Sequence, residues 1–288
     1  MLRLSGSKQA SRCEKKAEPA KMEALEERRL LAAGLPQPDH VVVVMEENHS
    51  FSQIMKSPPP YIKSLADQGA VFTDSRALTH PSQPNYLDLF SGSDQGVKSD
   101  ATPKRVFATP NLGGELLANG LSFAGYSEDL PAAGFRGSKA KNYRRKHNPW
   151  VDFADVPDSS NLPFSSFPTD FTQLPTVSFV VPNEKNDMHS GSVGKGDKWL
   201  MKHLDAYAQW AQSNNSLLIV TFDEGSRGSN QIPTIFDGRM VMAGRYPEPI
   251  NHFNVLRTIE DMFDLPAAGA SATATPIADV WTPQSVLS

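Results

Sequence analysis

Apolar residues come in short unbroken runs rather than in strict alternation. Val41-Val42-Val43-Val44-Met45 and Leu217-Leu218-Ile219-Val220 are continuous and rich in β-branched residues. That pattern predicts strands covered on both faces. Residues 176–181 and 122–126 have strand composition, residues 70–72 begin another strand, and 239–243 read as one more. Helical spacing appears over 197–212, through Trp199, Leu200, Leu204, Tyr207 and Trp210. It returns over 251–263, through Phe253, Leu256, Ile259, Met262 and Phe263. Shorter helices are predicted over 61–68, 85–90 and 112–119, with Gly69 and Gly120 as stops for the first and last. Strands alternating with helices predict an α/β layered domain with a mostly parallel sheet. Residues 131–174 are rich in Pro, Ser, Asn and aromatics and lack a period. A segment that long is predicted to cover a site rather than merely connect elements. Residues 1–38 read as a lead-in, helical over 21–33 or disordered, ahead of one domain over 39–288.

Composition narrows the function classes. Hydrophobic content of 39% and charge of 21% are those of an ordinary globular protein. A net charge of -4 gives no footprint for nucleic acid. No apolar run approaches the roughly 18 residues of a membrane span, so no stable membrane insertion is expected. Cys13 is the only cysteine, which excludes an intramolecular disulfide. The apolar stretch near residues 30–35 is too short and too late for a signal h-region, which leaves the compartment open. Oligomeric state has no signature.

Both continuous runs end in acids. The first closes on Glu46-Glu47-Asn48 and the second on Asp223-Glu224. Carboxyl ends of parallel strands are where open α/β sheets place ligands. Carboxylates crowding there repel one another, and a hard divalent cation relieves the repulsion. Between the runs lies the turn Thr79-His80-Pro81-Ser82-Gln83-Pro84-Asn85-Tyr86. It sets a hydroxyl at a helix start, where backbone N–H groups favour a phosphate. Ser82 beside a cation is a candidate nucleophile for phosphorus. Asn85 and His80 are candidate phosphate contacts. Asp187-Met188-His189 follows a strand, and His189 facing Ser82 is placed to protonate a leaving alkoxide. Asp187 joins that catalytic set. His252, opening the last helix, is a further candidate at the phosphate. A basic run, Lys139 to His147, precedes Asn148-Pro149-Trp150, and Lys146 and His147 are the members expected to reach inward. No Walker loop and no dinucleotide fingerprint is present.

At these residues the chain resembles the phosphoesterases that include bacterial acid phosphatases and the non-haemolytic phospholipases C. The segments are VMEENHSF (44–51), THPSQPNYLDLFSG (79–92), VPNEKNDMH (181–189), VTFDE (220–224) and NHFNVLRTIEDM (251–262). YSEDL (126–130), KHNPWV (146–151) and NQIPT (230–234) are similar to a branch of small secreted acid phosphatases, including one acting on phosphoinositides. The resemblance implies an alkaline-phosphatase-like three-layer α/β sandwich. It implies hydrolysis of phosphate monoesters through a phosphoseryl intermediate on Ser82, with His189 and His252 near the phosphate. It also implies one divalent ion on Glu47, Asn48, Ser82, Asp223 and Glu224, an oxygen-rich set that favours Ca or Mg. Three features depart from the family pattern: Ser190 stands where an Asp is usual, Gly225-Ser226 where two acids are usual, and Phe222 where a Trp is usual. The paired cysteines and export signal of close relatives are not found. Two other readings share the motifs: a phospholipase C-type phosphodiesterase, and an anion- or headgroup-binding protein on a decayed scaffold.

Overall fold

The computed structural model describes residues 35–226 and 228–283. Cys13, most of the predicted lead-in and its 21–33 helix lie outside the described residues. Strand β1, His40–Glu46, is buried along its whole length except His40. Val41, Val43 and Met45 point into one hydrophobic core, and Val42 and Val44 into a second on the opposite face. That split is the period of two expected of a strand, with both faces covered.

The sheet has eight strands. After β1 come β2 (Ala70–Arg76), β3 (Phe123–Ser127), β4 (Asn161–Pro163), β5 (Val177–Val181), β6 (Ser216–Phe222), β7 (Thr234–Asp237) and β8 (Gly244–Asn251). Their order across the sheet is β8-β2-β7-β6-β1-β5-β3-β4. All neighbours run parallel except β7, which is antiparallel to both β2 and β6. The α/β sheet is therefore mostly parallel, as predicted.

Six α-helices among the described residues flank it: α1 (Phe51–Met55), α2 (Pro60–Gln68), α3 (Ser82–Ser91), α4 (Leu112–Ala118), α5 (Val193–Ala211) and α6 (His252–Met262). Apolar residues of α3, α4 and α6 pack into the first core. Those of α1, α2 and α5 pack into the second. Leu200, Leu204 and Tyr207 of α5 are fully buried, which accounts for the helical spacing read in that segment. Residues 131–174 hold short 3-10 turns, the brief strand β4 and a two-strand hairpin.

The strand expected over 239–243 is a correction. Val241 makes only an isolated bridge to Trp281, and the chain builds β7 and β8 on either side instead. β8 carries Pro247 and Pro249, which remove ladder donors. It is tolerated because β8 is an edge strand paired only with β2, with a register shift between Tyr246 and Pro249.

Candidate functional site

Strand register brings the acids together. β1 lies between β5 and β6, with Val44 opposite both Val180 and Val220. Glu46 pairs with Phe222, so Glu47 and Asp223 leave the sheet side by side. The Asp223 N–H donates to Glu46 O at 3.0 Å, and the Glu47 N–H donates to Asp187 O at 2.7 Å. Three strand ends thus share one rim, at the position where open α/β sheets bind ligands. Asn48 then turns with φ 59, a left-handed conformation that Asn tolerates. Its backbone N–H donates to Asp223 Oδ1 and its side-chain amide to Glu224 Oε1, both at 3.0 Å.

Ser82 is the first residue of α3 and is buried. Its hydroxyl lies 3.3 Å from Glu47 Oε2 and 3.2 Å from Glu224 Oε1. The expected convergence of the turn with both acidic strand ends is present. His80 pairs with the other oxygen of Glu224. His189 Nδ1 lies 3.0 Å from Glu47 Oε2. The Asp187 Oδ1 accepts the His189 N–H at 2.8 Å, and its Oδ2 stands 3.9 Å from His147 Nδ1. His147 Nε2 is 2.9 Å from Glu47 Oε1. Lys146 pairs with Asp100 at 2.8 Å.

Two candidates hold the frame. The Asn85 side chain is taken up by its own turn: Oδ1 accepts from the N–H groups of Leu78 and Thr79 at 3.1 Å, and Nδ2 donates to Thr79 O and Pro81 O. His252 is buried behind the rim, its Nε2 3.0 Å from Phe222 O. Burial lowers His252 to about 4, so it is neutral and fixes the strand end that carries Asp223.

Tyr86 belongs to the site without having been a candidate. Its hydroxyl donates to Glu47 Oε1 at 2.6 Å, and its ring stacks on His147 at 5.0 Å between centroids. Burial and the Glu47 charge raise the phenol well above its usual range, which keeps it a donor. The available signal was helical spacing, because residues four apart share a face and Tyr86 lies four after Ser82.

The electrostatics are those of packed anions. Asp223 is pushed well up by burial, Glu47 and Glu224. Asp187 is pushed up by burial and Glu47. Burial acts on Glu47 in the same direction, but His147, His189 and Lys146 outweigh it and hold its carboxyl well below the ordinary range. Asp187 Oδ2 and Asp223 Oδ2 are buried without a hydrogen-bond partner. Orphaned buried carboxylate oxygens are costly, and a divalent cation satisfies them. The residues therefore fit a metal. Glu47, Asn48, Ser82, Asp223 and Glu224 offer an oxygen set suited to Mg or Ca. Glu47, His147 and Asp187 have ligand atoms all within 4.8 Å of one another and add an imidazole, which also suits Zn. Glu47 is common to both sets.

Comparison with known proteins shows the family and the fold. The model of the Phosphoesterase family matches residues 55–266. A phosphatidylinositol-3-phosphatase of Mycobacterium tuberculosis is 50% identical over 256 residues, covering 88% of this chain and 86% of that protein. An acid phosphatase of Aspergillus fumigatus is 29% identical over 237 residues, and the match spans 72% of this chain but 51% of the fungal enzyme. Among solved structures, an alkaline phosphatase superfamily protein from Vibrio parahaemolyticus superposes with a TM-score of 0.60. That match covers 91% of this chain and 80% of the other at 12% identity, and it shows the shared fold alone.

Proposed function

The chain belongs to the Phosphoesterase family, and from that premise we propose that this phosphoric ester hydrolase is a phosphomonoesterase with Ser82 as its nucleophile. One observation carries the reading. A hydroxyl at a helix start lies within 3.3 Å of carboxylates from two different strand ends, with His189 on the same Glu47. The substrate class is a small phosphate ester or a phosphoinositide, the second drawn from the mycobacterial relative.

Ser82 Oγ attacks phosphorus, and its proton passes to Glu224 Oε1. Burial raises the Glu224 carboxyl, which makes it the better proton acceptor of the two. The phosphorus–ester oxygen bond breaks opposite the new bond. The hydrogen bond to Glu47 raises His189 and favours its imidazolium. Nδ1 is held by Glu47, so Nε2 delivers the proton to the departing alkoxide. Water then attacks the phosphoseryl group, His189 takes the water's proton, and Ser82 Oγ recovers its own from Glu224. Tyr86 and His147 hold Glu47 in place through both steps. A divalent cation on Glu47, Asn48, Ser82, Asp223 and Glu224 would supply charge stabilisation at the serine oxygen and the non-bridging oxygens.

Hydrolysis of para-nitrophenyl phosphate tests the assignment. Ser82→Ala is expected to lower kcat by roughly 10³-fold or more. An unchanged rate in that variant rejects it.

A further inference from the structure

Helix α3 opens Ser82-Gln83-Pro84. Pro84 has no N–H, so Ser82 and Gln83 supply the backbone donors of the first turn. The Gln83 N–H is engaged: it donates to Asp100 Oδ1 at 3.1 Å. The other oxygen of that carboxylate lies 2.8 Å from Lys146 Nζ. Burial would lower Lys146, but Glu47 and Asp100 outweigh it and raise it, so the ammonium stays charged. One carboxylate therefore bridges a helix N-terminal amide and an inward lysine, next in sequence to the proposed nucleophile. These are donors a phosphoryl group on Ser82 would use. A second observation concerns the same residue. The Gln83 side chain is only 2% exposed, yet neither its Nε2 nor its Oε1 has a hydrogen-bond partner. The Gln83 N–H and Lys146 thus meet on one carboxylate, next in sequence to Ser82, and that anion is a side chain from a loop with neither helix nor strand.

We propose that Asp100 is a built-in competitor for phosphate, seated in the phosphoryl subsite formed by the Gln83 N–H and Lys146. A phosphate ester binds by displacing the carboxylate from Lys146 and from the Gln83 N–H. After hydrolysis the carboxylate returns and expels inorganic phosphate, which trades substrate affinity for product release. The proposal rests on the reading of Ser82 as the phosphoryl acceptor, and its test does not require turnover.

The test is calorimetric titration of inorganic phosphate into Ser82→Ala protein, with and without Asp100→Asn. Asp100→Asn is expected to tighten the phosphate Kd by about tenfold, the effect of removing one charge-assisted competitor. Adding Lys146→Met is expected to abolish that gain, since the freed lysine is what phosphate takes up. In the otherwise native enzyme, Asp100→Asn should lower the product-inhibition constant of phosphate by the same factor. An unchanged or weaker Kd in Asp100→Asn overturns the proposal, as does a gain that survives Lys146→Met. Should Asp100→Asn be poorly folded by its melting curve, Asp100→Ser carries the same expectation and the same refutation. If Ser82→Ala retains full turnover, the nucleophile assignment fails, while the phosphate titration still decides what Asp100 does.

Discussion

Two pairs of buried carboxylates, one in the helical layers and one at the strand-end rim, differ in how fully their oxygens meet donors. In the first, Asp197 of α5 accepts the N–H groups of Tyr61 and Ile62. Those are orphan donors at the start of α2, whose N-cap is Pro59 and makes no side-chain cap hydrogen bond. Glu260 of α6 likewise accepts the Ala268 N–H at 2.8 Å and the Ser271 hydroxyl at 2.6 Å. In the second setting, Asp187 and Asp223 each keep one buried oxygen without a partner. Burial is common to both. What separates them is that both oxygens of Asp197 and of Glu260 meet donors, whereas Asp187 and Asp223 each accept one backbone N–H through Oδ1 and leave Oδ2 without a partner. Unmet acceptors, rather than buried charge, set Asp187 and Asp223 apart from Asp197 and Glu260.

Substituting within each setting sharpens the contrast. Asp223→Asn is expected to cut kcat by roughly 10²–10³-fold. The same change should stabilise the cation-free protein by about 1–2 kcal/mol, because an amide ends the repulsion with Glu47 and Glu224. Paired melting curves with and without divalent cation check this, and the cation should no longer raise the variant's Tm. A variant that loses stability in the cation-free state would place Asp223 with the structural acids.

Glu260 gives the next effect. Burial raises its carboxyl from 4.5 to about 7 despite its two donors. The fold therefore keeps a proton that the unfolded chain releases. Its stabilising contribution is complete below about pH 4.5 and is lost as pH climbs towards 7, by roughly 3 kcal/mol at most. Denaturant titration across that range should show the decline, and Glu260→Gln should flatten it. A slope unchanged in the variant would assign the pH dependence elsewhere. The smallest effect is expected at Asp197. Asp197→Ala should cost about 1–2 kcal/mol of stability with kcat intact, since it uncaps α2 far from the chemistry in sequence. A parallel loss of activity would break the division between the two settings.

The rim was legible in the sequence because its parts are local. Continuous apolar runs marked β1 and β6, and acids at their ends needed only parallel register to meet. Ser82 was legible from its proline-framed turn. Tyr86 was not singled out, because a tyrosine in a helix is ordinary core until its hydroxyl is seen on Glu47. Asp100 was invisible for a different reason: it sits in an irregular loop, and only tertiary folding brings it to Gln83 and Lys146. β7 and β8 were missed through local chemistry. β7 has four residues, and the prolines of β8 argue against a strand wherever the edge position is unknown. The metal reading was legible as a class, while the nitrogen of His147 beside Glu47 and Asp187 appears only in three dimensions.

The proposed catalysis turns on which atom receives the phosphoryl group. Acid-quenched turnover with para-nitrophenyl phosphate, followed by peptide mass spectrometry, reads it directly. The peptide carrying Ser82 is expected to gain the mass of one phosphoryl group, a gain absent in Ser82→Ala. A phosphoryl group on a histidine peptide instead, with Ser82 unmodified throughout turnover, would contradict it.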